Sequence, residues 1–187
     1  MSPNLDGRTA FFYGTLMAPE VLHRVCHGSS SPSNPIYATH NLKIYAAILP
    51  AHRRHRVKSA DYPAVLPHAS STVRGTYVTG LTDSDIWRLD IFEGSEYERA
   101  KVTCKLLEPQ PPKTYSGIHT SGNEVVHLGS VFGGDGLEVV ETETYMWIGG
   151  EARLEEGEWD FEEFQKEKMR IWIGEEGEEE YAGELES

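Results

Sequence analysis

The chain has 187 residues, of which 39% are hydrophobic and 10% aromatic, enough for one domain with a real core. Its formal net charge of −13 argues against a nucleic-acid backbone or an anionic membrane as partner, since both call for an excess of Lys and Arg. No apolar run approaches the ~20 residues of a membrane span, and the N-terminal MSPNLDGRTA lacks a signal-like apolar stretch; a cytoplasmic protein is expected, with Cys26 and Cys104 as reduced thiols and a single disulfide between them as the alternative.

Residues 1–8 are polar, with Pro and Gly, and read as a loose start. Residues 10–13 are the first strand candidate, ending in the uncharged stretch FFYGTLM at 11–17. Residues 17–28 carry Val21, Leu22 and Val25 at near-helical spacing, with Pro19 in a tolerated first-turn position and Gly28 as a stop. Residues 29–35 are a Ser- and Pro-rich loop, and 36–49 favour a strand. The basic run Arg53, Arg54, Arg56 and Lys58 reads as a solvated strand face or loop, with an anion contact as the alternative. Tyr62 precedes Pro63, which makes 61–65 extended. Residues 71–80 form a strand with Gly75 inside it, a place where a neighbouring backbone can approach.

Residues 81–94 predict a short helix with signals at both ends. Thr82 and Asp85 stand at capping-box spacing, and Gly94 is a natural stop. Strands are expected at 97–108 and 140–148. Residues 109–124, rich in Pro, Ser and Gly, read as a flexible insertion. The glycines of 130–139 lack the frame of a phosphate loop and read as a turn. A last helix is expected over 158–174, packing through Trp159, Phe164, Met169 and Trp172. Residues 175–187 form an acidic tail. The pattern predicts a single α+β domain over 9–174: a small, mostly antiparallel or mixed β-barrel or sheet with a few short helices.

Metal chemistry has little support. The eight histidines are scattered, and the only i,i+4 pair, His23 and His27, has no adjacent Glu of the H-E-x-x-H kind. No G-x-S-x-G elbow is present. The helix at 81–94 is more informative. Ile86, Leu89, Asp90 and Glu93 share one face, so Glu93 lies beside two residues that must meet the core. A carboxylate aimed inward there loses water, its pKa rises, and it becomes suited to general-base work near neutrality. The alternative is a Glu93 that curls out to solvent or pairs with Arg88 or Arg99.

Four segments in order resemble the gamma-glutamylcyclotransferase-like family, including its gamma-glutamylamine and plant avirulence-induced branches. FFYGTLM is similar to the family's Y-G-[ST]-L loop after the first strand. DYPAVLP resembles its Y-P-[AG] segment, RLDIFEGSEYERAKV its L-D-x-F-E-G-x-x-Y-x-R signature, and TETYMW its later Tyr-bearing strand. Together they span about residues 9–150.

The resemblance implies a cofactor- and metal-free reaction on a small gamma-glutamyl substrate. The substrate's own α-amine attacks its γ-carbonyl, releasing 5-oxoproline and an amine or amino acid. It gives the base role to Glu93. It implies that the backbone of Tyr13, Gly14, Thr15, Leu16 and Met17 holds the substrate, with Tyr97 lining the pocket and Arg99 pairing with a carboxylate. Leu16, where glutathione-type members have Asn, leaves the leaving group open. Two other readings stand beside the enzyme: a binding protein that holds such a ligand without turnover, and an interaction protein working through the acidic tail. Oligomeric state is not legible.

Overall fold

The computed structural model describes residues 7–28, 42–107, 113–114, 131–132 and 135–173. Its strands are β1 (Arg8–Phe12), β2 (Lys43–Arg56), β3 (Pro63–Leu81), β4 (Tyr97–Leu106), β5 (Lys113–Thr114), β6 (Val131–Phe132) and β7 (Glu138–Trp147). Its helices are α1 (Pro19–His27), α2 (Asp83–Glu93), α3 (Phe161–Glu167) and α4 (Met169–Ile173).

The strands run β1-β3-β2-β4-β7, and β1 also pairs with β7, so the main strands close into a small barrel. All these pairings are antiparallel except the closing one, a parallel contact of Phe11 with Thr144. Threonine hydroxyls reinforce that short seam. Thr144 Oγ1 donates to the buried Phe11 carbonyl at 2.9 Å, and the hydroxyls of Thr9 and Thr142 meet at 2.8 Å. Closure removes the unpaired edges that an open sheet would expose.

Strand alternation sorts the core into two faces. Phe11, Tyr13, Ala47, Leu49, Val65, Val73, Tyr77 and Cys104 fill the inner face. Ala10, Phe12, Ile44 and Val78 point outward and are covered by Leu22, Cys26, Ile86, Leu89 and Phe164 of the helices. Cys26 and Cys104 are free, buried and in different clusters. Gly75 lets β1 cross closely: a Cβ there would lie 2.2 Å from the Phe12 carbonyl oxygen.

The β2–β3 hairpin is longer than the sequence suggests. Its ladder runs through the basic stretch, pairing Arg53 with Leu66 and Arg54 with Val65. Polar residues survive in these strands because the segment 150–163 covers them: Arg53 donates to the Glu156 carbonyl, Arg56 to the Glu158 carbonyl and Lys58 to the Ala152 carbonyl. The expected last helix begins later, at Phe161, capped by Asp160, and is broken at Lys168. Residues 131–132, expected in a turn, instead add a short strand to β7. The loop 29–35 and the acidic tail 175–187 lie outside the described residues. So does the insertion 109–124 except for Lys113 and Thr114, which pair with β2. Among the described residues, no helix is long and apolar enough to cross a membrane.

Candidate active site

Local sequence signals place Glu93. Helix α2 starts with a reciprocal capping box: Asp85 N–H donates to Thr82 Oγ1 at 3.1 Å and Thr82 N–H to Asp85 Oδ2 at 2.9 Å. It ends at Gly94, whose φ of 73° lies in the left-handed region that favours glycine. Between them, Ile86 and Leu89 are buried against the barrel, which fixes the rotation of the helix and turns Glu93 inward.

The opposite wall comes from the end of β1. The chain leaves Phe12 and folds into a single 3-10 turn, Thr15–Met17. Met17 N–H donates to the Gly14 carbonyl and Ala18 N–H to the Thr15 carbonyl. The amides of Gly14, Thr15 and Leu16 lie outside this turn's own hydrogen bonding. Arg54 fixes the approach, its guanidinium donating to the Tyr13 carbonyl at 2.8 Å.

Glu93 and this turn share one cavity with Phe11, Phe12, Tyr62, Pro63, Tyr97 and Tyr145. It holds about 20 Å³ of water-sized space, room for roughly one water. Burial pushes the Glu93 carboxyl from 4.5 to about 8. Tyr13, Tyr97 and Tyr145 are shifted upward, first by burial; the Glu93 charge adds to all three, after the Tyr97 phenol for Tyr13 and after the hydrogen bond to and charge of Asp90 for Tyr145. An inward carboxyl that releases its proton near neutrality, sharing a cavity with a turn whose own hydrogen bonds leave out the amides of Gly14, Thr15 and Leu16, is suited to proton transfer on a small polar molecule.

Tyr13, Gly14, Thr15, Leu16, Tyr97 and Glu93 all line this cavity. Met17 and Arg99 are not among the cavity's lining residues. Arg99 is held between Asp90, at 2.9 Å, and Glu143, at 2.8 Å. The carboxylates it meets are the protein's own, and Glu93 does not pair with it. Tyr145 and Tyr62 in the lining, and Arg54 behind the turn, are not among the site residues expected from the sequence, and Arg54 meets a backbone carbonyl there. Tyr145 is opposite Arg99 in the β4–β7 ladder, a register that the signature's own Arg could have flagged. His23 and His27 meet through Nδ1 atoms 3.1 Å apart where α1 packs on α2.

Comparison with known proteins identifies the family. The model of the family described as gamma-glutamyl cyclotransferase, AIG2-like, matches residues 10–161. The Arabidopsis thaliana AIG2-like protein B is 29% identical over 172 residues, covering 92% of this chain and 76% of that protein. The Arabidopsis thaliana Protein AIG2 C is 26% identical over 164 residues, covering 88% and 76%. The solution structure of an Arabidopsis thaliana protein superposes with a TM-score of 0.53 at 25% identity, over 92% of this chain and 90% of that one. The match spans both the turn after β1 and the Glu93 helix, and the chain belongs to the gamma-glutamyl cyclotransferase, AIG2-like, family.

Proposed function

We propose that this protein is a gamma-glutamyl cyclotransferase acting on a free gamma-glutamyl amine or peptide, with Glu93 as its general base and acid. One observation carries the reading: a desolvated Glu93 carboxyl, pushed up to about 8, shares a cavity with the turn that follows β1. Family membership supports it.

In the proposed reaction, Glu93 takes a proton from the substrate's α-ammonium. The freed amine attacks the γ-carbonyl carbon, and the new C–N bond closes the five-membered ring. The acid form of Glu93 gives that proton to the departing nitrogen as the original amide C–N bond breaks, and the carboxylate so regenerated takes the surplus proton of the ring nitrogen and passes it on to the released amine. The products are 5-oxoproline and an amine or amino acid. Amides of the 14–16 turn hold the substrate carboxylate and meet the charge developing on the carbonyl oxygen. Ring closure is intramolecular, so holding the glutamyl chain curled supplies much of the rate; effective molarities for such closures reach ~10⁵ M or more. The cavity takes about one water, so binding includes a displacement of its lining side chains.

The test is 5-oxoproline release from a panel of gamma-glutamyl amines and dipeptides, comparing the native chain with Glu93→Gln. Turnover of at least one substrate is expected, with loss of about 10³-fold or more in the folded variant. Equal turnover by the variant would exclude Glu93 as the base. A native chain inert across the panel, yet thermally stabilised by one of its members, would establish binding without catalysis.

A further inference from the structure

Four phenols line the cavity around Glu93, and each donates its proton to an acceptor other than Glu93. Tyr13 Oη donates to the Tyr145 carbonyl at 2.6 Å. Tyr97 Oη donates to the Pro63 carbonyl at 2.7 Å, and Tyr62 Oη to Glu96 Oε2 at 3.3 Å. Tyr145 Oη donates to Asp90 Oδ1 at 2.8 Å. Two of these acceptors are backbone carbonyls fixed by the barrel. Asp90 is different: it is a side chain on Glu93's own helix, one turn earlier. It is held in place by Arg99 Nε at 2.9 Å, and Arg99 is braced in turn by Glu143 at 2.8 Å.

We infer that Asp90, clamped by Arg99, is a positioning residue that captures the Tyr145 hydroxyl proton and keeps it from being donated to the Glu93 carboxylate. The physical reason is the effect of a donor on a base. A hydroxyl that hydrogen-bonds to a carboxylate stabilises its charged form and weakens it as a base. With Tyr145 committed to Asp90, desolvation of Glu93 is not offset by that donor. The groups facing Glu93 are Tyr13 at the end of β1, Tyr62 before β3, Tyr97 on β4 and Tyr145 on β7. Behind them stand Arg54 near Tyr13, Arg153 and Glu96 near Tyr97, and Asp90 with Arg99 near Tyr145. Of these acceptors for a lining phenol, only Asp90 is a carboxylate on α2.

The inference rests on Glu93 being the site's base, and its test is independent of turnover. The Glu93 carboxyl is titrated by carbon-13 NMR of glutamate-labelled protein, its resonance identified by its loss in Glu93→Gln. The native midpoint is expected at about 8. In Asp90→Ala the freed phenol turns to Glu93, and proton affinity falls on the order of tenfold or more. In Asp90→Ala with Tyr145→Phe there is no proton to give, and the midpoint returns toward the native value. Asp90→Asn keeps an accepting oxygen and shifts the midpoint less than Asp90→Ala. An unmoved midpoint in Asp90→Ala overturns the inference. So does a double variant that stays low, since loss of the Asp90 charge would then be the whole effect. Release of 5-oxoproline is scored separately. Turnover with an unmoved Asp90→Ala midpoint rejects the positioning role alone, and the expected midpoints without turnover reject the catalytic reading alone.

Discussion

Pro63 packs against Gly14 so closely that a Cβ on Gly14 would stand 2.8 Å from both Cδ and Cγ of the proline ring. Gly14 begins the turn that forms one wall of the cavity, and Pro63 begins the strand that forms another. A proline ring cannot swing aside, so the backbone must give way. Gly14→Ala is expected to lose about 10²-fold in kcat/KM through displacement of the 14–16 amides. It is also expected to cost about 1–3 kcal/mol of stability. Steady-state kinetics and urea unfolding on the same sample separate the two effects. An Ala variant with native kinetics would show that the turn amides do not position the substrate.

The raised Glu93 pKa fixes two pH dependences of definite sign. The carboxylate form is the base, so kcat/KM should climb about tenfold per pH unit below about 8 and level off above it. For stability, the native pKa of about 8 lies above the ordinary 4.5. Between these values the native chain holds a proton that the unfolded chain has released. The stabilisation is complete below about 4.5 and is lost as pH rises through about 8. Glu93→Gln has no such proton, so its stability relative to the native chain should rise from about pH 5 to about pH 9. Urea unfolding of both proteins across that range checks it. Parallel curves would mean that the carboxyl is solvated.

What was legible in the sequence was mostly local. Thr82, Asp85 and Gly94 bound helix α2 as their spacing suggests, because caps depend on a few neighbouring atoms. The inward aim of Glu93 followed from Ile86 and Leu89, since a helix cannot bury one without rotating the other. Residues 13–16 and Glu93 proved to share a cavity, but that meeting depends on barrel closure, which leaves no local trace. Arg54 was legible only as part of a basic run. Its role arises because β2 continues past residue 49 and because the segment bearing Trp159 returns over it, both long-range consequences of the fold. Arg99 shows the converse case, as its visible charge is spent on Asp90 and Glu143 rather than on the cavity.

The seam between β1 and β7 supplies a stability test. Among the described residues its one backbone register pair is Phe11 with Thr144, and the Thr144 hydroxyl donates to the buried Phe11 carbonyl at 2.9 Å. Thr144→Val keeps the shape and removes the donor. The carbonyl is left without that partner, at an expected cost of about 1–3 kcal/mol. Equilibrium urea unfolding measures it directly. The turn after Phe12 begins two residues further on, so a fall in kcat/KM beyond the stability loss would show that the seam also sets the turn's position.

Arg54 carries the last prediction. Its guanidinium donates to the Tyr13 carbonyl at 2.8 Å and pairs with Glu158 at 3.0 Å. It also lies 5.5 Å from the centroid of the Trp159 ring. It joins the wall of the cavity to the segment that precedes α3, and its side chain is only 10% exposed. Arg54→Met keeps the stem and removes the fork. The Tyr13 carbonyl then loses a charged donor, a contact of about 1.5–3 kcal/mol. The turn should loosen where Gly14, Thr15 and Leu16 meet the substrate. Both stability and kcat/KM are expected to fall, the latter by about tenfold to a hundredfold. Arg54→Lys offers one compact charge in place of a planar fork and cannot reach the Tyr13 carbonyl and Glu158 together with the same geometry. It should therefore recover little of the loss. Full recovery by Lys would show that only the charge matters at this position, and that the hydrogen bond to Tyr13 does not hold the turn.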